Sequence, residues 1–184
     1  ASMALPDISS LSKIASIGGG PISGGWTAHF LARGFDVRAY IHDPAEETAF
    51  RDIIETAWPC LIELGLASTA SFDRLVVTSN LEEAVAGAEF IQESAVERLE
   101  EKQALYQKLG NIVSADIIIA SSTSGLLMSD IQQRCDVATR TIVGHPFNPP
   151  YLLPLVEVVG GTKTTTESID WAMEFYRHAG KEPL

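Results

Sequence analysis

The sequence predicts an α/β domain built on a doubly wound, mostly parallel sheet with helices on both faces. Three observations predict it. Apolar runs of four to six residues alternate with amphipathic stretches of 10 to 20 residues from end to end, as βαβ units on a parallel sheet require. A glycine cluster sits between the first apolar run and the first helical stretch. The chain has 184 residues, 46% hydrophobic and 20% charged, which excludes disorder and allows one or at most two domains. A chain of this length buries roughly 70% of its unfolded surface and needs no disulfide or structural metal.

The elements follow in order. Lys13 to Ile17 reads as the first strand, and a helix from about Ile22 to Arg33 is closed by Gly34. Asp36 to Ile41 is the second strand. Pro44 to Gly65 is helical, with Glu46, Glu47 and Asp52 early, and Pro59 is expected to kink or split it. Leu75 to Thr78 is the third strand, and Asn80 with Glu83 makes a capping box for a short helix ending near Gly87. A strand at Glu89 to Gln92, a helix from about Arg98 to Gly110 and a strand at Asp116 to Ala120 come next. A short helix near Ser129 to Arg134, strands at Thr141 to Gly144 and Leu155 to Val159, and a helix from Glu167 to Ala179 complete the pattern. Residues 1–12 are expected to be a tag remnant and a loose arm, and 13–184 the dinucleotide-binding domain. Lys181 to Leu184 read as the start of another element with nothing to pair it. The expectation is therefore a domain fragment, with a helical substrate and dimerisation domain outside this chain.

Charge and cysteine usage narrow the partners. Thirteen basic against 24 acidic residues leave a net charge of −11, which repels nucleic acid and anionic membranes. No apolar run approaches the roughly 20 residues of a membrane span, and no signal-peptide pattern opens the chain. Cys60 and Cys135 belong to no CxxC pair or Cys/His cluster, so both are expected to be core thiols in a reducing, cytoplasmic protein with no metal.

The cluster Gly18-Gly19-Gly20-Pro21-Ile22-Ser23-Gly24-Gly25-Trp26 lies where a dinucleotide-binding loop of a Rossmann-type fold belongs. The frame from Gly18 reads G-x-G-x-x-S, with Gly18 at the tight turn, Gly20 at the close approach to pyrophosphate, and Ser23 at the helix–strand contact. A frame from Gly19 would put Pro21 at the close approach, without the N–H or the freedom required there. An ordinary glycine-rich turn is the alternative. The ribose carboxylate belongs at the tip of the second strand, about 20 residues on. Ile41 holds that position, so the carboxylate is missing or comes from Asp43. No arginine at the tip awaits a 2′-phosphate, which favours NAD over NADP.

Two polar segments, Ser121-Ser122-Thr123-Ser124-Gly125-Leu126 and Gly144-His145-Pro146-Phe147-Asn148-Pro149, follow apolar strands at the edge where open α/β sheets bind ligands. A histidine there can take an alcohol proton while a carboxylate orients its ring, and Glu157, 12 residues on, serves if the two strands pair antiparallel. The alternatives are a turn histidine bonded to backbone and a structural glutamate.

These segments, with Ala57-Trp58-Pro59, Ile91-Gln92-Glu93-Ser94 and Leu155-Val156-Glu157-Val158-Val159, resemble the N-terminal domain of the 3-hydroxyacyl-CoA dehydrogenase family from about Lys13 to Leu184. Acyl-CoA members usually carry Asn at Ser122 and Phe at Pro146, so these departures point to a branch acting on small free hydroxy acids. The resemblance implies NAD-dependent oxidation of a 3-hydroxyl, carnitine foremost, with 3-hydroxyacyl-CoA or gulonate as alternatives, in a homodimer formed through the further domain. It implies His145 as general base, Glu157 as its orienting partner, and Ser124 and Asn148 at the substrate oxygen and nicotinamide. It also implies that Gly18, Gly20, Pro21, Ile22, Ser23, Glu97 and Lys102 contact the cofactor, with Ile41 or Asp43 at the ribose. Ser23 and Ile41 depart from the family pattern, and a non-catalytic relative is the rival reading.

Overall fold

The computed structural model describes residues 4–184, in which eight strands form one sheet of order β3-β2-β1-β4-β5-β6-β7-β8. The strands are β1 (Lys13–Ile17), β2 (Asp36–Tyr40), β3 (Leu75–Thr78), β4 (Phe90–Glu93), β5 (Ile118–Ser121), β6 (Thr141–Pro146), β7 (Leu155–Gly160) and β8 (Glu182–Pro183). The first six are parallel, and their order reverses between β1 and β4, which opens a crevice at the carboxyl ends of those two strands. The helices are α1 (Pro21–Ala32), α2 (Glu47–Leu64), α3 (Leu81–Val85), α4 (Leu99–Ile112), α5 (Met128–Ile131) and α6 (Thr166–His178).

Helices on both faces explain why the central strands β4 and β5 are buried along their whole length. In β4, Phe90 faces the cluster under α1, α2 and α6, while Ile91 faces the one under α3, α4 and α5. The first cluster is aromatic, with the rings of Phe90 and Phe175 4.1 Å apart and Trp26 stacked on Phe30 at 5.2 Å.

Four expectations are corrected. Pro59 does not split the second helix, which is continuous across it. Pro59 and Glu55 are both exposed, so water can satisfy the Glu55 carbonyl that a proline four residues on leaves without an N–H. The tail does have a partner: β8 pairs parallel with β7, and Leu184 donates its N–H to Val156 at 2.9 Å. A two-residue strand is too short to carry periodicity. The arm is not loose where it is described, because Leu5 and Ile8 pack on the core and the Trp171 indole donates to the Pro6 carbonyl at 2.8 Å. The tag expectation falls partly on residues 1–3, outside the described residues. Finally, Cys60 is exposed and only Cys135 is buried.

Candidate active site

β1 delivers the chain into the glycine loop at the crevice. Gly18 has φ +128°, and a Cβ there would lie 2.5 Å from the Ser94 carbonyl oxygen, so only glycine fits the turn. At Gly20 a Cβ would meet nothing within 4 Å, because this residue faces the opening. Gly20 caps α1 without a side-chain hydrogen bond and Pro21 occupies the first turn, which leaves the amides of Ile22 and Ser23 at a helix N-terminus suited to an anion. A cleft of about 640 Å³ opens here, lined by the loop, Tyr40, His42, Glu46, Ser94 and Lys102 among others. Its volume, glycine cradle and free amides fit a dinucleotide.

Ser23 is fully buried, and its Oγ lies 2.8 Å from Ser16 Oγ, which also accepts from Thr27 Oγ1 at 3.0 Å. The hydroxyl that replaces the third glycine therefore has a partner on β1. Ile41 is buried in the aromatic-side core. Asp43 is exposed, its Oδ1 accepting from the Ala45 amide at 2.9 Å. The sequence reading missed Glu46, whose Oε2 lies 2.5 Å from where a Cβ at Gly19 would sit. Its place in the first turn after the strand tip was the available signal.

Beyond β4, Glu93 and Lys102 form an enclosed ion pair at 2.5 Å, with side chains 0% and 2% exposed. Every charge-bearing atom is satisfied. Glu93 also accepts from the Ala95 amide at 2.7 Å and the Tyr106 hydroxyl at 3.0 Å, and Lys102 Nζ donates to the Ala95 carbonyl at 3.1 Å. Burial, then the Glu93 charge, pushes the Tyr106 phenol well above its ordinary pKa. Glu97 lies 3.9 Å from Lys102 and accepts from Thr123 Oγ1 at 2.6 Å and the Ser124 amide at 3.1 Å. It ties the loop after β4 to the loop after β5 and so positions Ser124, which is exposed.

β6 and β7 pair antiparallel with His145 directly opposite Glu157. His145 Nδ1 is 3.9 Å from Glu157 Oε1, with side chains 26% and 45% exposed. His145 is thus a strand residue, since β6 runs past the expected Gly144 boundary. This gap is longer than a hydrogen bond but within ion-pairing reach once the ring takes a proton. Phe147 covers one side at 5.6 Å between rings, and Asn148 is exposed, joined to Pro149 by a cis peptide.

A buried network fixes the strand that carries His145. Gln92 donates to the Gly144 carbonyl at 3.1 Å and accepts from the Tyr176 hydroxyl at 2.6 Å. Ser122 Oγ accepts from the Trp26 indole at 3.1 Å and from Gln92 at 2.9 Å, which fills its lone pairs and directs its own proton to Ser94 Oγ at 2.8 Å. The Ser94 hydroxyl is left to donate at the cleft wall.

Residues 13–184 match the family described as 3-hydroxyacyl-CoA dehydrogenase, NAD binding domain. The chain is 56% identical over 174 residues to an L-carnitine dehydrogenase of Streptomyces griseus, covering 94% of this chain and 51% of that protein. It is 47% identical over 180 residues to an L-carnitine dehydrogenase of Pseudomonas putida, covering 98% and 56%. Among solved structures, 3-hydroxybutyryl-CoA dehydrogenase of Escherichia coli superposes with TM-score 0.87 at 26% identity, covering 95% of this chain and 38% of that one. An NAD+-dependent 5-formyl-3-hydroxy-2-methylpyridine 4-carboxylic acid 5-dehydrogenase superposes with TM-score 0.85 at 28% identity, covering 95% and 57%. The chain spans about half the length of the curated relatives it matches. It belongs to the 3-hydroxyacyl-CoA dehydrogenase family, as the NAD-binding domain.

Proposed function

We propose that the protein carrying this chain oxidises the 3-hydroxyl of a small hydroxy acid, L-carnitine to 3-dehydrocarnitine, with NAD. The observation that carries the reading is the His145–Glu157 pair at the carboxyl edge of the same sheet whose β1 and β4 ends open a cleft that fits a dinucleotide. The name shared by the relatives supplies the substrate.

NAD, when bound, would supply the hydride acceptor for the oxidation of the carbinol carbon; the protein fixes distance and charge. Glu157 lies on the Nδ1 side of His145, so Nδ1 keeps its proton and Nε2 presents the lone pair that takes the hydroxyl proton. The imidazolium that forms is stabilised by Glu157. Ser124, anchored through Glu97, would hold the same oxygen, and Asn148 would face the nicotinamide. Gly18, Gly20, Pro21, Ile22 and Ser23 would hold the pyrophosphate at the helix N-terminus, while Lys102 and Glu97 hold the loops that frame the cleft.

The rest of the substrate pocket and a homodimer contact are assigned to the half of the relatives' length outside this chain. The exposed Leu127, Leu152 and Leu153, which flank the Ser124 and Asn148 segments, are surface such a domain would cover. A cytoplasmic location fits two unpaired cysteines, and no helix among the described residues is long and apolar enough to cross a membrane.

The test is reduction of NAD by the full-length protein with L-carnitine, L-gulonate or L-3-hydroxybutyryl-CoA. The expected outcome is turnover with L-carnitine at the highest kcat/KM. A preference for either other alcohol would replace the substrate, and NAD binding without turnover of any would favour a non-catalytic relative.

A further inference from the structure

The tip of β2 lacks the carboxylate that an adenosine ribose ordinarily meets, and the two positions that the sequence offers are poorly placed. Ile41 is 1% exposed and packs into the core, so the ribose position carries a methyl group against the glycine loop. Asp43 spends Oδ1 on the Ala45 amide and does not line the cleft.

Glu46 is differently placed. It ends the single 3-10 turn Pro44–Glu46, three residues beyond Asp43, and that turn folds its side chain back over the loop. Oε2 lies 2.5 Å from the Cβ position of Gly19, so the carboxylate rests where any side chain at 19 would stand. The neighbouring Glu47 is engaged by Arg51 at 2.9 Å, whereas no described residue bonds the Glu46 carboxylate. It lines the cleft together with Gly18, Gly20, Tyr40 and His42. The lysine of that wall, Lys102, is held by Glu93.

We propose that Glu46 takes over the missing strand-end role, accepting both hydroxyls of the adenosine ribose and excluding a 2′-phosphate. This inference rests on the dinucleotide reading of the cleft. The physical case is reach and charge. Three residues of a tight turn carry the acid past the strand tip, and the longer glutamate side chain returns it to the loop, where Gly19 leaves room. An ionised carboxylate accepts two O–H donors and repels a phosphate dianion in the same place.

The experiment is calorimetric titration of the protein with NAD, NADP and the 2′-deoxyadenosine analogue of NAD. The variants are Glu46→Gln, Gly19→Ala and Asp43→Asn. The wild type is expected to bind NAD more tightly than NADP. Glu46→Gln keeps the shape and removes the charge, so it should weaken NAD about 10-fold and leave NADP no weaker. Gly19→Ala, which displaces the carboxylate, should narrow the NAD/NADP ratio in the same direction, and Asp43→Asn should leave it unchanged. The gap between wild type and Glu46→Gln should shrink with the deoxy analogue. Wild-type NAD affinity in Glu46→Gln, or the loss appearing in Asp43→Asn instead, overturns the assignment while the dinucleotide reading stands. Failure of the wild type to bind either dinucleotide overturns both.

Discussion

Lys102 shows how burial decides what a charge does. The family resemblance implies a cofactor contact, and at the cleft wall the structure pairs its ammonium with Glu93 and the Ala95 carbonyl at 2% exposure. Removing it leaves the Glu93 carboxylate buried and uncompensated, so Lys102→Met should cost about 3–5 kcal/mol, far more than a surface ion pair would. Urea unfolding of both proteins measures this, and a loss below about 1 kcal/mol would mean that water reaches Glu93. Ser23 makes the opposite point. A hydroxyl at a tight helix–strand contact is expected to crowd it, but Ser16 and Thr27 supply partners. Ser23→Ala should therefore destabilise by about 1 kcal/mol, since it leaves Ser16 one partner short, and Ser23→Gly should not raise stability.

At the scale of elements, α1 and α6 are joined at a titratable contact. His29 on α1 is buried with Nε2 2.6 Å from the Ala179 carbonyl, just past the end of α6. Burial first, and the neighbouring Lys181 charge second, lower its pKa from 6.5 to about 3. The folded state therefore keeps this ring neutral while the unfolded chain takes up a proton below 6.5. Its contribution to stability is present above pH 6.5 and is lost as pH falls toward 3. Between pH 6.5 and 5, before most carboxylates titrate, the unfolding free energy should fall with a slope of at most about 1.4 kcal/mol per unit from this group. His29→Gln should flatten that slope in pH-dependent urea unfolding, and an unchanged slope would show that another group carries it. A second contact joins α6 to β6. A Cβ at Gly144 would meet the Tyr176 hydroxyl, which orients Gln92 and through it the Gly144 carbonyl beside His145. Gly144→Ala should destabilise by about 1–3 kcal/mol and displace this network. An unchanged melting temperature would contradict the packing.

For the whole molecule, what could be read in the chain depends on the range of the interaction. The six parallel strands were legible because each is a short, largely apolar or alternating stretch set off by helical ones, and the glycine loop because its spacing is local. His145 and Glu157 were legible only conditionally, since their meeting depends on β7 running antiparallel, which the register bears out. The Glu93–Lys102–Tyr106 cluster and the Ser122 hub were not, because they join side chains from different elements whose spacing carries no pattern. Nor was the pairing of β8 with β7, since two residues are too short for a period, or Glu46, whose direction is set by a turn.

The central claim is that His145 takes a proton at this sheet edge while the glycine cleft holds NAD independently of it. The most direct measurement is the rate of NAD reduction by the full-length protein with L-carnitine, compared between wild type and His145→Ala at saturating cofactor. The account predicts a kcat lowered by roughly 10²–10⁴-fold, as loss of a general base does, with NAD affinity unchanged. An unaltered kcat would remove His145 from the mechanism and contradict the account.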